Sequence, residues 1–169
     1  MKGIEINPEA SIQIIQNGYW SAGAIAFSAS IAAIIAIRSI ANQNRVARMR
    51  ATLDVILKSE SDTYYQDIYS TFTSELTRSG GLISLIDAHS DNEKRSRRNV
   101  HDFLNHYELI AIAIEKNILD EDFYKEWMRS TYIKHYQEAE EYIDLLNKGK
   151  NTSVLFINFK ELANKWDRE

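Results

Sequence analysis

Apolar positions recur along this chain with the three- and four-residue spacing of helices, except over one early stretch where charged positions vanish. Gly18 to Ile37, GYWSAGAIAFSASIAAIIAI, runs twenty residues without a formal charge and ends at Arg38. A bilayer core of about 30 Å needs roughly 20 apolar residues at 1.5 Å each, so the run is long enough for a transmembrane helix. Tyr19 and Trp20 stand at its start, where amphipathic rings favour the headgroup level. Arg38, Arg45, Arg48 and Arg50 follow it closely and only Lys2 precedes it. The positive-inside rule then predicts a single pass through the inner membrane, with the N-terminus out. Residues 1–17 become a short external tail, 18–38 the span and 39–169 a cytoplasmic domain. Two rival readings are a cleaved signal, against which the first 17 residues lack a basic n-region, and a buried core helix, for which the many alanines and serines speak.

The run also carries small residues in register. Ala22, Ala26 and Ser30 recur every four positions, and Ala24, Ser28, Ala32 and Ala36 make a second row. Such stripes let helices approach closely in lipid, which makes a homo-oligomer an expectation. The plainer reading is that small residues are common here, and the second row favours it.

Beyond the run the pattern predicts helix after helix. Asn7-Pro8-Glu9 reads as a helix start placed ahead of the span. Ser39 to Lys58 continues as helix, with Val46, Met49, Leu53 and Ile56 as a seam too short for a coiled coil and expected to face a core. Asp62 caps a helix over Thr63–Arg78, whose apolar face is Tyr65, Ile68, Tyr69, Phe72 and Leu76. Gly80-Gly81 stops it, and Leu82–Ala88 is a short apolar piece. Ser90-x-x-Glu93 is a capping box opening a helix over Asp91–Lys116, with Val100, Phe103, Leu104, Tyr107, Ala111 and Ile114 facing inward. Asp120, Glu121 and Asp122 form the acidic first turn of the next helix. Its buried side begins at Phe123 and Trp127, then shifts to Tyr132, Tyr136, Ala139, Ile143 and Leu146, which predicts a bend or break near Ser130-Thr131. Asn147–Asn151 is a turn, and Ser153 caps a last helix aligned on Leu155, Phe159, Leu162 and Trp166. No stretch alternates as a strand would. The fold class is all-α: one N-terminal transmembrane helix followed by an irregular bundle of about five helices.

Charge sharpens this picture. The net charge is −1 over residues 1–37, +4 over 38–50 and −7 over the remainder. An acidic domain lacks the clustered cations that phosphates require, so no nucleic acid is expected. The chain has no cysteine, which excludes disulfides, thiolate chemistry and cysteine-based zinc sites.

Asn99 to Trp127, NVHDFLNHYELIAIAIEKNILDEDFYKEW, carries a recognisable signature. Leu104, Asn105, Tyr107, Glu108, Leu109, Ile110 and Ala111 make a Leu-Asn-x-aromatic-Glu-Leu-Ile-Ala pattern. Arg50-Ala51-Thr52-Leu53-Asp54 upstream and Leu162-Ala163-x-x-Trp166 downstream complete it. Over about residues 45–167 the chain resembles a family of bacterial and phage domains of unknown function. The resemblance implies one membrane helix followed by a small helical domain, and by its genomic setting a role in phage–host conflict. It implies no reaction and no catalytic residue. Asn117 stands where the pattern has glycine, and asparagine is the next best residue for a left-handed turn.

Candidate chemistry lies on the most regular helix. Arg98, His101, Asn105 and Glu108 follow at steps of three, four and three, a polar line along an apolar helix. Glu108 falls between Leu104 and Ala111, where an unpaired carboxylate is costly. The structural reading is a buried network in which Glu108 pairs with an arginine or a tyrosine hydroxyl; the functional reading is a ligand pocket or acid/base site. Metal ligation finds less support, since His101 and His106 are five apart and point to different faces. Glu138 and Glu141 sit in an acidic run that reads as a solvated face. No catalytic residue, metal or cofactor is therefore assigned. Lys94, Arg95, Arg97 and Arg98 set four cations against a helix dipole, as a solvated face or as a contact to anionic lipid or an acidic partner. The leading expectation is a non-enzymatic protein held on the lipid bilayer whose cytoplasmic domain binds another protein. The alternatives are a ligand sensor or enzyme using the polar line, and a membrane-damaging effector acting through an oligomerised span.

Overall fold

The computed structural model describes residues 8–148 and 154–169, with the backbone alone described for 8–24 and for Ala26. It is all-α among these residues: α1 (Pro8–Ser61), α2 (Thr63–Thr77), a 3-10 turn (Gly81–Leu85), α3 (Asp91–Glu115), α4 (Glu121–Asn147) and α5 (Ile157–Asp167). Two compact units divide the chain, residues 1–45 and 46–169.

In the first unit α1 begins at Pro8, the position where proline's missing N–H costs the helix nothing. Residues 8–17 are thus helical, as the helix start read at Asn7-Pro8-Glu9 predicts. Ile25 and every residue from Phe27 to Arg45 are exposed. None of them contributes to the hydrophobic core, so the reading as a buried core helix does not hold for them. Among the described residues no helix is long and apolar enough to cross a membrane. The side chains of residues 18–24 and 26, including Tyr19, Trp20, Ala22 and Ala26, lie outside that description. Ser30 is exposed.

In the second unit α2 lies along α3, while α5 packs on both α3 and α4. The caps form where the local sequence places them. Asp62 accepts from Tyr64 N at 2.8 Å, Asp120 accepts from Phe123 N at 3.2 Å, and Ser90 and Glu93 close a reciprocal capping box. Gly80 and Gly81 both adopt positive φ, as a helix stop does, and Asn117 does so at 55°.

Three expectations change. The seam Val46, Met49 and Leu53 is exposed, and only Ile56 of that row is buried. The inward face of α1 is instead Thr52 and Ile56 with Ala51 and Val55 beside them. Thr52 looks polar in sequence, but its hydroxyl donates to Arg48 O at 2.8 Å and accepts from Asp120 N at 2.8 Å. The break that was the alternative to a bend in α4 is absent, because the helix runs unbroken through Ser130-Thr131. Tyr124 is buried there and Trp127 is 64% exposed. With Tyr124 in place of Trp127 the stripe Tyr124, Tyr132, His135, Tyr136, Ala139 and Ile143 keeps one phase throughout. Ser153 and residues 149–151 lie outside the described residues. The residue before α5 is Phe156, which has a left-handed φ of 59° and no side-chain cap.

The core is aromatic. Phe72 stacks on Phe103 with ring centres 4.4 Å apart, and Tyr107 stacks on Phe159 at 5.0 Å. Tyr132 meets Phe159 and Trp166, each at 4.9 Å. Buried phenol and indole handles require partners, and Tyr132 donates to Tyr107 O at 3.2 Å while Trp166 Nε1 donates to Glu121 at 2.9 Å.

Thr52 ties α1 to the residue that caps α4, and it predicts a measurable cost. Thr52→Val keeps the shape and leaves the Asp120 N–H unpaired, so urea unfolding of the second unit should lose about 1–3 kcal/mol. A loss below a few tenths would mean that water replaces the hydroxyl.

Candidate functional site

The members of the polar line stand in different settings. Arg98 and Asn105 are exposed. His101 Nε2 lies 2.9 Å from the Tyr142 hydroxyl on α4. Glu108 reaches α5, where one oxygen accepts from Asn158 N at 3.3 Å and Asn158 Nδ2 at 2.7 Å, and the other accepts from Phe159 N at 2.8 Å. These backbone donors belong to the first turn of α5, which has no cap of its own. The carboxylate expected to pair with an arginine or tyrosine is therefore a helix cap supplied from another helix, favoured also by the dipole. Of the cations at the start of α3, Lys94, Arg95 and Arg98 are exposed. Arg97 Nη1 donates to Ile86 O at 3.3 Å. Arg48 and Arg50 follow α1 into the second unit, Arg48 half-buried and Arg50 exposed; Arg38 and Arg45 in the first unit are exposed. Among the described residues no group of three or more histidine, aspartate or glutamate side chains is placed to hold a metal.

A different set of residues converges on a cleft of about 440 Å³ between the end of α1, α2 and α4. His135 is buried at its base, with Nδ1 2.8 Å from the Tyr107 hydroxyl. Burial pushes the His135 imidazole down to about 4, with Lys134 adding to the effect. Burial likewise holds the Tyr107 phenol well above its ordinary range. Both are neutral at physiological pH, so a single proton lies in the Tyr107–His135 contact and its direction follows the imidazole tautomer. Tyr65, Tyr69 and the exposed Trp127 line the walls, and Glu60 and Gln66 bring polar groups to the same cleft. The Tyr69 and His135 ring centres are 5.8 Å apart.

This chemistry suits binding better than proton transfer. A general base works best near the operating pH, and the His135 value of about 4 is far below it. Rigid aromatic surface with a few fixed hydrogen-bonding groups is the composition of a recognition site. The cleft was not legible in the sequence, because its residues come from four helices and show no common spacing. One signal was available. His135 sits within the tyrosine stripe of α4 at core spacing, and Trp127 falls outside the phase that Tyr124 sets.

Two consequences are measurable. His135 and His106 are both held near 4 by burial, against about 6.5 in an unfolded chain. The unfolded state binds their protons first, so the stabilising term is complete above about pH 6.5 and is lost as pH falls towards 4. Urea midpoints from pH 7.5 to 4.5 should decline by an amount on the order of 1–2 kcal/mol for each histidine, and His135→Gln should flatten the decline. Glu108→Ala should destabilise the second unit by about 2–3 kcal/mol and raise hydrogen exchange in α5 first, while Glu108→Gln, which keeps an acceptor, should cost less.

Neither a curated protein nor a solved structure matches this chain. One family does, and it matches residues 26–166, which takes in the second half of the apolar run, the Leu104–Ala111 motif and Trp166. The chain belongs to the family described as Domain of unknown function (DUF4760).

Proposed function

We propose that the protein is a membrane-anchored binding module, in which residues 18–38 span the inner membrane with the N-terminus outside and the helical domain presents its aromatic cleft to a protein partner in the cytoplasm. The observation that carries the anchor is the distribution of exposed apolar side chains on α1. Ile25, Phe27, Ile31, Ile34, Ile35, Ile37 and Ile40 are all exposed. At about 100° per residue they fall around the whole circumference of the helix. A helix that is apolar on every side has no face for water, and lipid supplies the one solvent that suits all of them. The arginines behind the run support the orientation.

The binding half rests on Trp127, a large aromatic side chain exposed beside the His135–Tyr107 pair. Tryptophan is among the residues enriched at the hot spots of protein interfaces.

Membrane fractionation separates these claims. Wild-type protein should stay with membranes through alkaline carbonate washing, and Ile31→Arg with Ile34→Arg should release it, since each arginine costs about 2.5–3.5 kcal/mol at mid-membrane. Wild-type protein found in the wash would refute the anchor. A partner cross-linked to the anchored protein in intact cells should be recovered about thirtyfold less with Trp127→Ala, the loss of about 2 kcal/mol expected at an interface hot spot. Recovery unchanged by that substitution would move the interface elsewhere.

A further inference from the structure

A second hollow lies on the other side of the Tyr65–His106 ring pair, whose centres are 4.7 Å apart. It measures about 580 Å³, within the range of sites that hold small molecules. α1, the start of α2 and α3 bound it, and the turn after α3 closes one end. Val55, Ile68, Ile110 and Ala113 are among its walls, and the exposed Leu109 and Ile118 stand at its edge.

We propose that this hollow binds an uncharged amphipathic small molecule, with an apolar body held between Val55, Ile68 and Ile110 and a single hydrogen-bonding group turned to His106 and Ser59. Three observations fix that chemistry. First, the polar contact in the wall is slack. Ser59 Oγ donates its one proton to Val55 O at 2.9 Å, and His106 Nε2 stands 3.4 Å from the same oxygen. That second distance exceeds an ordinary hydrogen bond, so a ligand oxygen can take over the imidazole without breaking a good one. Second, His106 is half-buried against Tyr65, and burial lowers it to about 4, so it offers a hydrogen bond and no charge. Third, the charged groups of the lining are Lys58, Asp62 and Asp102. Each carboxylate accepts one hydrogen bond at an exposed contact, Asp62 from Tyr64 N at 2.8 Å and Asp102 from the Tyr64 hydroxyl at 2.7 Å. Two carboxylates against one ammonium repel an acidic head group. The aspartate contacts are exposed, whereas the His106–Ser59 contact is part-buried and uncharged, so an ammonium turned to it would lose its water without a counter-charge there.

The test uses the full chain in detergent micelles at neutral pH and three photoreactive probes of one chain length. Each carries a diazirine on an alkyl chain, ended by a hydroxyl, a carboxylate or a trimethylammonium. Mapping the cross-links places each probe on the chain, which separates the hollow from micelle partition. The alcohol should label the peptides holding Val55 and Ile110 about tenfold more than either charged probe. Unlabelled dodecanol should compete, and Ala113→Trp, which fills the hollow from α3, should remove the label. Val55→Trp fills it from the opposite wall if the first variant does not fold. Equal labelling by a charged probe, label confined to the exposed apolar residues 25–40, or label undiminished in a folded filled variant would each overturn the proposal. No protein partner enters this test, so its outcome is separate from that of Trp127→Ala.

Discussion

The Glu108 carboxylate at the start of α5 is the contact on which the second unit depends most. A helix leaves its first N–H groups without partners, and a buried start must find them elsewhere. α5 follows Phe156, whose left-handed backbone and apolar side chain give no cap. Glu108 accepts from the first turn with both oxygens, from 50 residues away in sequence. A carboxylate within an apolar face is costly alone, and an uncapped helix start is costly alone. Each removes the other's penalty. The arrangement holds Phe159 and Trp166 against Tyr107 and Tyr132, so the aromatic core is complete only when α5 is capped.

That contact also shows what was legible in the sequence. Asp62, Ser90 with Glu93, Asp120 and Gly80 act within four residues of themselves, and local chemistry suffices to read them. The inward faces of α3 and α5 were equally plain, because periodicity is a local property too. Glu108 could be recognised as a carboxylate in the wrong place, but not by what it meets. Two of its three donors are backbone amides, which every residue but proline carries, and the third is the side-chain amide of Asn158, too far along the chain for any spacing to mark it.

Misread phases have a shared cause. Trp127 and Leu53 are apolar and lie outside, whereas Tyr124 and Thr52 carry hydroxyls and lie inside. A count of apolar residues favours tryptophan over tyrosine and leucine over threonine. The fold favours whichever side chain can be both buried and satisfied. Thr52 meets that condition by donating to its own helix and accepting from α4. One such exchange on α4 was enough to turn a single stripe into an apparent shift of phase.

The candidate sites follow from the same rule. A core built from phenols and imidazoles must place hydroxyls and ring nitrogens at its boundary, since few can be satisfied at the centre. Tyr107 and His135 meet at the floor of one cleft, and His106 meets Ser59 in the wall of the other hollow. Both imidazoles are neutral because burial makes charge expensive. Neutral donors and acceptors in rigid, mostly apolar walls select ligands by shape and by one or two hydrogen bonds, while their shifted protonation makes them weak acids and bases at physiological pH. Stability and recognition thus draw on the same side chains here. A change that removes a polar handle from this core alters the fold and the site together, whereas one that fills a hollow from an apolar wall separates them.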